Sequence, residues 1–154
     1  MPIDRRQFLT GTAVALMGLR PASAQADYIA ELYAKAKTEG ELTWYSVYWP
    51  SDRSEKHGAL FTKAFPGVKV NVVRSTAQVA YQRLSQDLQA NAANCDVFAT
   101  TDMGQFVALK DRGVLMPYKM KSIDQIDSRF HGVDPDDAYQ IVNATTVGLA
   151  YNTN

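Results

Sequence analysis

The chain carries one cysteine, Cys95, among 154 residues. An internal disulfide is therefore impossible, and stability has to come from packing. Neither charge is in excess, since 16 lysines and arginines stand against 16 aspartates and glutamates. That balance argues against nucleic acid or an anionic membrane surface as partner, because both select clustered positive charge. No hydrophobic run is long enough to cross a ~30 Å hydrocarbon core. The G-x-S-x-G elbow, the G-x-x-x-x-G-K-[ST] phosphate loop, C-x-x-C and H-E-x-x-H are all absent. His57 falls inside a helical segment, and His131 sits beside Gly132 in a loop with no base-orienting neighbour in sequence. Cys95 precedes a buried strand and reads as a packed, inert thiol. A secreted hydrolase thus finds no nucleophile–base pair, and the chain is not expected to be an enzyme.

What is present begins with an export signal. Arg5 and Arg6 precede Phe8-Leu9 and an apolar stretch of about a dozen residues diluted by Thr10, Gly11, Thr12 and Gly18. "ASA" at 22–24 and "AQA" at 24–26 offer the small-x-small pattern that signal peptidase cuts. Arg-Arg-x-Phe-Leu resembles the bacterial twin-arginine signal, which implies export to the periplasm. Residues 1–26 are read as this signal and residues 27–154 as the folded part. Removing 1–26 takes Arg5, Arg6, Arg20 and Asp4 and leaves a slightly acidic remainder. No repeats, low-complexity tracts or flexible linkers interrupt it.

The remainder alternates. A helix is expected over 27–38, ended by Gly40, and then a strand over 42–47. The next helix, over 51–65, has Asp52 and Glu55 at capping-box spacing and Leu60/Ala64 and Phe61/Phe65 stacked along one face. Pro66-Gly67 stops it, and Val68–Val73 reads as a strand buried on both faces. A helix over 76–92 follows, with Ala77, Ala80, Tyr81, Leu84 and Leu88 on one stripe and Val79 off it. Asp96–Ala99 is the third strand, and Asp102 caps a helix running to Asp111 and closed by Gly113. This rhythm is that of an α/β layer with a mostly parallel, doubly wound sheet. Beyond Tyr118 it changes: one short helix is expected in 121–130, a turn at Asp134-Pro-Asp-Asp137, and two extended segments over 139–142 and 146–151. The chain reads as the front part of a longer protein.

In open α/β sheets ligands bind beyond the carboxyl ends of the strands, beside helix N-termini whose amides lack helical partners. All three strand ends here are polar or aromatic: Ser46, Tyr48 and Trp49 after the first, Arg74, Ser75 and Thr76 after the second, Thr100, Thr101 and Asp102 after the third. Capping explains Ser75, Thr76 and Asp102 one helix at a time, and β-propensity explains the threonines. The recurrence of surplus oxygen at every strand end points instead to one ligand crevice. Ser46, Tyr48, Trp49, Ser75, Thr76, Thr100, Thr101 and Asp102 are its candidate residues.

"ELTWYSVYWPSDR", "FTKAFPGVKVNVVRSTAQVAYQRLSQDL", "CDVFATTDMGQFVALKDRGVLMPY" and "VGLAYNTN" together resemble the N-terminal lobe of periplasmic solute-binding proteins, closest to the branch of the ferric-ion-binding proteins. The resemblance spans 38–154 and implies two α/β lobes that close on a ligand and dock on the permease of an ABC importer, with "VGLAYNTN" as the hinge strand into the second lobe. Ferric members draw on this lobe for a histidine just after the first strand and a carboxylate just after "D-V-F". Here Tyr48 and Trp49 stand in the first place and Thr101 in the second, with Asp102 one residue later. Hard Fe³⁺ needs anionic oxygen ligands. Related branches take phosphonates, sugar phosphates and other small organic anions, which suit hydroxyls and helix N-termini. The expectation is a monomeric periplasmic binding protein with no resident cofactor, whose solute is a small oxyanion, an organic phosphate or ferric ion. The alternative is the ligand-sensing extracytoplasmic domain of a signalling protein. A further ~150–200 residues of α/β pattern after Asn154 would favour the first, and a hydrophobic run of about 20 the second.

Overall fold

A computed structural model of the chain describes residues 22–120, 122–144 and 148, with side chains from Asp27 onward. The body of the export signal, residues 1–21, lies outside the described residues, as does all but Gly148 of the second extended segment. Among the described residues no helix is long and apolar enough to cross a membrane.

Among the described residues four α-helices and three strands alternate: α1 (Ala22–Glu39), β1 (Glu41–Ser46), α2 (Ser51–Ala64), β2 (Lys69–Arg74), α3 (Ala77–Gln89), β3 (Val97–Phe98) and α4 (Met103–Asp111). Helix α1 starts earlier than its sequence pattern suggests, at Ala22. It ends as expected at Gly40, whose φ of +82° is a left-handed turn that an L side chain adopts only with strain. The strands form an open, parallel, three-stranded sheet in the order β2-β1-β3. Strand β1 is central, with Trp44 level with Val72 on one side and Val97 on the other.

The period of two along β1 divides its side chains between two helices. Tyr45 and Val47 turn to one face and form a buried cluster with Ala80 of α3, flanked by Ala77, Val73 and Phe98. Tyr45 is 1% exposed, and burying a side chain of that size contributes on the order of 2–3 kcal/mol. Arg83 of α3 sits 5.6 Å from the centroid of the same ring. Trp44 and Ser46 turn to the opposite face, where α2 packs, and the Ser46 hydroxyl meets that of Ser54 at 3.0 Å.

Helix α2 differs from the sequence pattern in two ways. Its N-cap is Pro50, without a side-chain cap, so the Asp52/Glu55 capping box does not form. A proline carbonyl can open a helix directly, and Pro50 accepts the Ser54 N–H at 3.0 Å. Asp52 lies instead in the first turn, where its negative charge is favoured by the positive end of the helix dipole. Its buried face is Ser54 and Gly58 rather than Leu60, which is 62% exposed. Small residues let the helix approach closely: a Cβ on Gly58 would lie 3.2 Å from Val70 Cγ1 and 3.3 Å from Val72 Cγ2. Phe61 and Phe65 do meet on one face, with ring centroids 4.9 Å apart and the planes tilted by 40°.

Strand β2 is an edge strand of half-buried residues rather than one buried on both faces. Tyr33 of α1 donates to the Pro66 carbonyl at 2.5 Å and fixes the turn into that strand. The third strand is shorter than its pattern, two residues, and Val97 is 46% exposed because only β1 pairs with it. Asp102 caps α4 as expected, and Gly113, φ +66°, ends it.

Past α4 the chain forms two short 3-10 turns, Ile123–Gln125 and Ser128–Phe130, in place of one helix. The Asp134–Asp137 turn closes through the Asp137 N–H and the Asp134 carbonyl at 3.2 Å. Asp134 is 3% exposed and pairs with Lys110 of α4, whose ammonium also lies 2.7 Å from Asp136. Residues 139–142 join no ladder.

Candidate functional site

The carboxyl ends of β1 and β3 open into one cleft of about 860 Å³. Of the eight residues singled out in the sequence, Tyr48, Trp49, Thr100 and Thr101 line it. Ser46, Ser75, Thr76 and Asp102 do not. Each of those four residues is engaged within the fold, Ser75 through its backbone and the other three through their side chains. Ser46 is fully buried against Ser54. Ser75 hands its N–H to the Ser46 carbonyl at 3.2 Å and its own carbonyl to Arg74. Thr76 caps α3 by accepting the Val79 N–H at 3.4 Å, and Asp102 caps α4 by accepting the Gly104 N–H at 2.9 Å. The tip of β2 therefore stands apart from the cleft, and the tips of β1 and β3 share it.

On the β3 side, Thr100 is engaged twice. Its hydroxyl donates to Gln105 Oε1 at 2.8 Å and accepts the Asp102 N–H at 3.2 Å, which holds the turn into α4. Thr101 is exposed, and its hydroxyl has no partner among the described residues. The two neighbouring threonines thus divide the work: one builds the turn and the other presents a free oxygen.

On the β1 side the wall is aromatic. Tyr48 meets Trp49 edge-on, with centroids 5.0 Å apart, and Trp44 does the same at 6.0 Å. His57 of α2 lies flat on the Trp49 indole, 4.2 Å between centroids and 19° between planes. The imidazole is oriented by donating Nδ1–H to the Arg53 carbonyl at 2.9 Å. Arg74 Nε donates to the Trp49 carbonyl at 2.5 Å and ties the wall to the end of β2. Burial raises the Tyr48 phenol above its ordinary pKa, so it stays protonated, a hydroxyl rather than a phenolate. The same hydroxyl has no partner among the described residues.

The floor is apolar. Leu84 and Leu88 of α3 and Leu109 of α4 reach it, and Phe106 stacks with Tyr139 at 5.3 Å. Cys95 also lines it; burial pushes its thiol to about 11, and Sγ leans on the Val97 carbonyl at 3.5 Å. That thiol is inert at neutral pH, as the sequence suggests. Among the described residues no group of three or more His, Cys, Asp or Glu could hold a metal ion.

Sequence reading missed Trp44, Phe98, Phe106 and Tyr139 as cleft residues, and it treated His57 as an ordinary helix position. The signal for His57 was available: Pro50, Ser54 and His57 follow the three-to-four spacing of one helix face. That face looks back on the Trp49 step.

The family model of bacterial extracellular solute-binding proteins matches residues 52–154, from the first turn of α2 through both cleft-lining threonines. The chain belongs to this family. No curated protein matches it. A bacterial extracellular solute-binding protein works outside the cytoplasm, holds a small solute and interacts with a membrane transporter, and an open cleft at the strand ends suits that work.

Proposed function

We propose that this solute-binding protein is the periplasmic substrate-binding component of an ABC-type importer, and that it captures a small organic oxyanion, such as an organic phosphate or phosphonate, between this lobe and a second one. The observation that supports this reading is that Tyr48 and Thr101 line one cleft with hydroxyls that have no partner among the described residues. Hydroxyl donors recognise oxyanions through charge-assisted hydrogen bonds. Closure follows population shift: a solute that touches both lobes only in the shut form stabilises that form.

Ferric ion is the weaker candidate cargo. Fe³⁺ requires anionic oxygen, whereas Tyr48 is held in its neutral form and the Asp102 carboxylate is engaged as a helix cap. Residues 1–26 act as a twin-arginine signal in this reading. Arg5→Lys with Arg6→Lys should leave the protein in the cytoplasmic fraction; periplasmic recovery at the parent level would refute that route.

Calorimetry of the full chain against phosphonates, sugar phosphates and ferric citrate tests the capture reading. Heat of binding with an organic oxyanion supports it. Binding of ferric citrate alone transfers the reading to iron, and silence with all three removes it.

A further inference from the structure

Resting on the capture reading above, we infer that this lobe recognises its solute by the carbon skeleton, as a flat ring laid against the Tyr48–Trp49 wall, with His57 as the positioning residue that holds Trp49 in place. Two independent observations lead there. The first is what the cleft lining contains: six aromatic side chains, and among the described residues no lysine, arginine or histidine. The single carboxylate in the lining, Asp96, is committed to the Thr43 N–H at 2.7 Å. A surface of that composition offers little to a bare inorganic anion. It offers a great deal to a molecule with an apolar ring face, whether an aromatic ring or the C–H face of a sugar ring.

The second observation is how firmly Trp49 is held. Tyr48 and Trp44 abut it edge-on, His57 covers it at 4.2 Å, and Arg74 fixes its carbonyl. The imidazole is itself pinned by the Arg53 carbonyl. The core does not require this: Tyr48 packs on the core cluster, but Trp49 and His57 lie outside it, and His57 is exposed. A rotamer-locked aromatic at the mouth of a cleft is a pre-organised contact surface, which lowers the ordering cost of binding.

The experiment uses tryptophan emission of the full chain, because both tryptophans of the sequence belong to this wall. Solutes are titrated in pairs of equal charge that differ in the ring: phenylphosphonate against methylphosphonate, and glucose 6-phosphate against glycerol 3-phosphate. Neutral glucose and neutral phenol complete the set and separate recognition of the ring from recognition of the phosphate. The ring-bearing member of a pair should bind about tenfold more tightly and shift the emission. His57→Ala should weaken that member about three- to tenfold and leave the ringless one unchanged, while His57→Phe restores the difference. A melting temperature equal to the parent's separates this from a folding defect.

Equal affinity of both members of each pair, or binding of ringless anions alone, overturns the ring reading and leaves solute capture standing. Loss on His57→Ala that His57→Phe does not repair overturns the positioning role. Absence of binding by every solute, charged or neutral, overturns the capture reading and this one with it.

Discussion

Ser46 and Ser54 allow the fold and the site to be separated by mutation. Both residues are 0% exposed, and their hydroxyls lie 3.0 Å apart between β1 and α2. Truncating one partner leaves the other buried and unsatisfied, which costs about 1–3 kcal/mol, whereas removing both together is nearly neutral. The two single variants should not be equal. In Ser54→Ala the stranded hydroxyl is on a strand, with no local carbonyl in reach by helix geometry. Alanine regains roughly 0.4 kcal/mol of helix propensity over serine, so the net loss is about 1–2 kcal/mol. In Ser46→Ala the stranded hydroxyl is on α2 and can turn back to the Pro50 carbonyl, which already accepts the Ser54 N–H and has a second lone pair. That loss is smaller, about 0.5–1.5 kcal/mol. The double variant should come within about 1 kcal/mol of the parent, giving a coupling of about 1 kcal/mol or more. Urea unfolding followed by tryptophan emission at unchanged slope measures all three. Additive losses, or singles indistinguishable from the parent, would refute the buried pair. A Ser46→Ala protein that keeps its stability and loses solute affinity would show that the hydroxyl faces the cleft.

Other outcomes follow from the same geometry. Thr101→Ala should weaken solute binding by ~1–2 kcal/mol with no change in melting temperature, since its hydroxyl has no partner among the described residues; unchanged affinity in calorimetry would exclude it from the site. The hydrogen bond from Lys110 holds the Asp134 carboxyl below its ordinary value of 3.8. Its contribution is therefore complete above that value and disappears as pH falls through the lowered one, so urea midpoints should drop as the pH is taken below about 4 and Asp134→Asn should flatten that drop. Cys95, raised to about 11, should react with a disulfide reagent at pH 8 about a hundredfold more slowly than an ordinary thiol; parent-like free-thiol rates would contradict its burial.

The local grammar of the chain was readable where one residue type has one physical use. Gly40 and Gly113 end helices because only glycine takes their positive φ without strain. Asp102 and Thr76 cap the helices they precede. The alternation of strands and helices up to Asp111 carries over with small shifts at the ends. Features that depend on distance between elements were not readable. Ser46 looks like any strand-end hydroxyl until Ser54 is seen opposite it, eight residues away. Gly58 looks like a weak helix position until Val70 and Val72 are seen beneath it. The aromatic wall was legible only as Tyr48 and Trp49. Trp44 joins through strand geometry, and His57 joins because α2 folds back over the β1 tip.

The arginine that joins the two strand tips has a further consequence. The bond from Arg74 to the Trp49 carbonyl has a backbone oxygen as its acceptor, with no carboxylate to protonate. The Lys110–Asp134 clasp has one. Acid should therefore loosen this lobe from one end, releasing the 134–137 turn while the tryptophan rim keeps its shape.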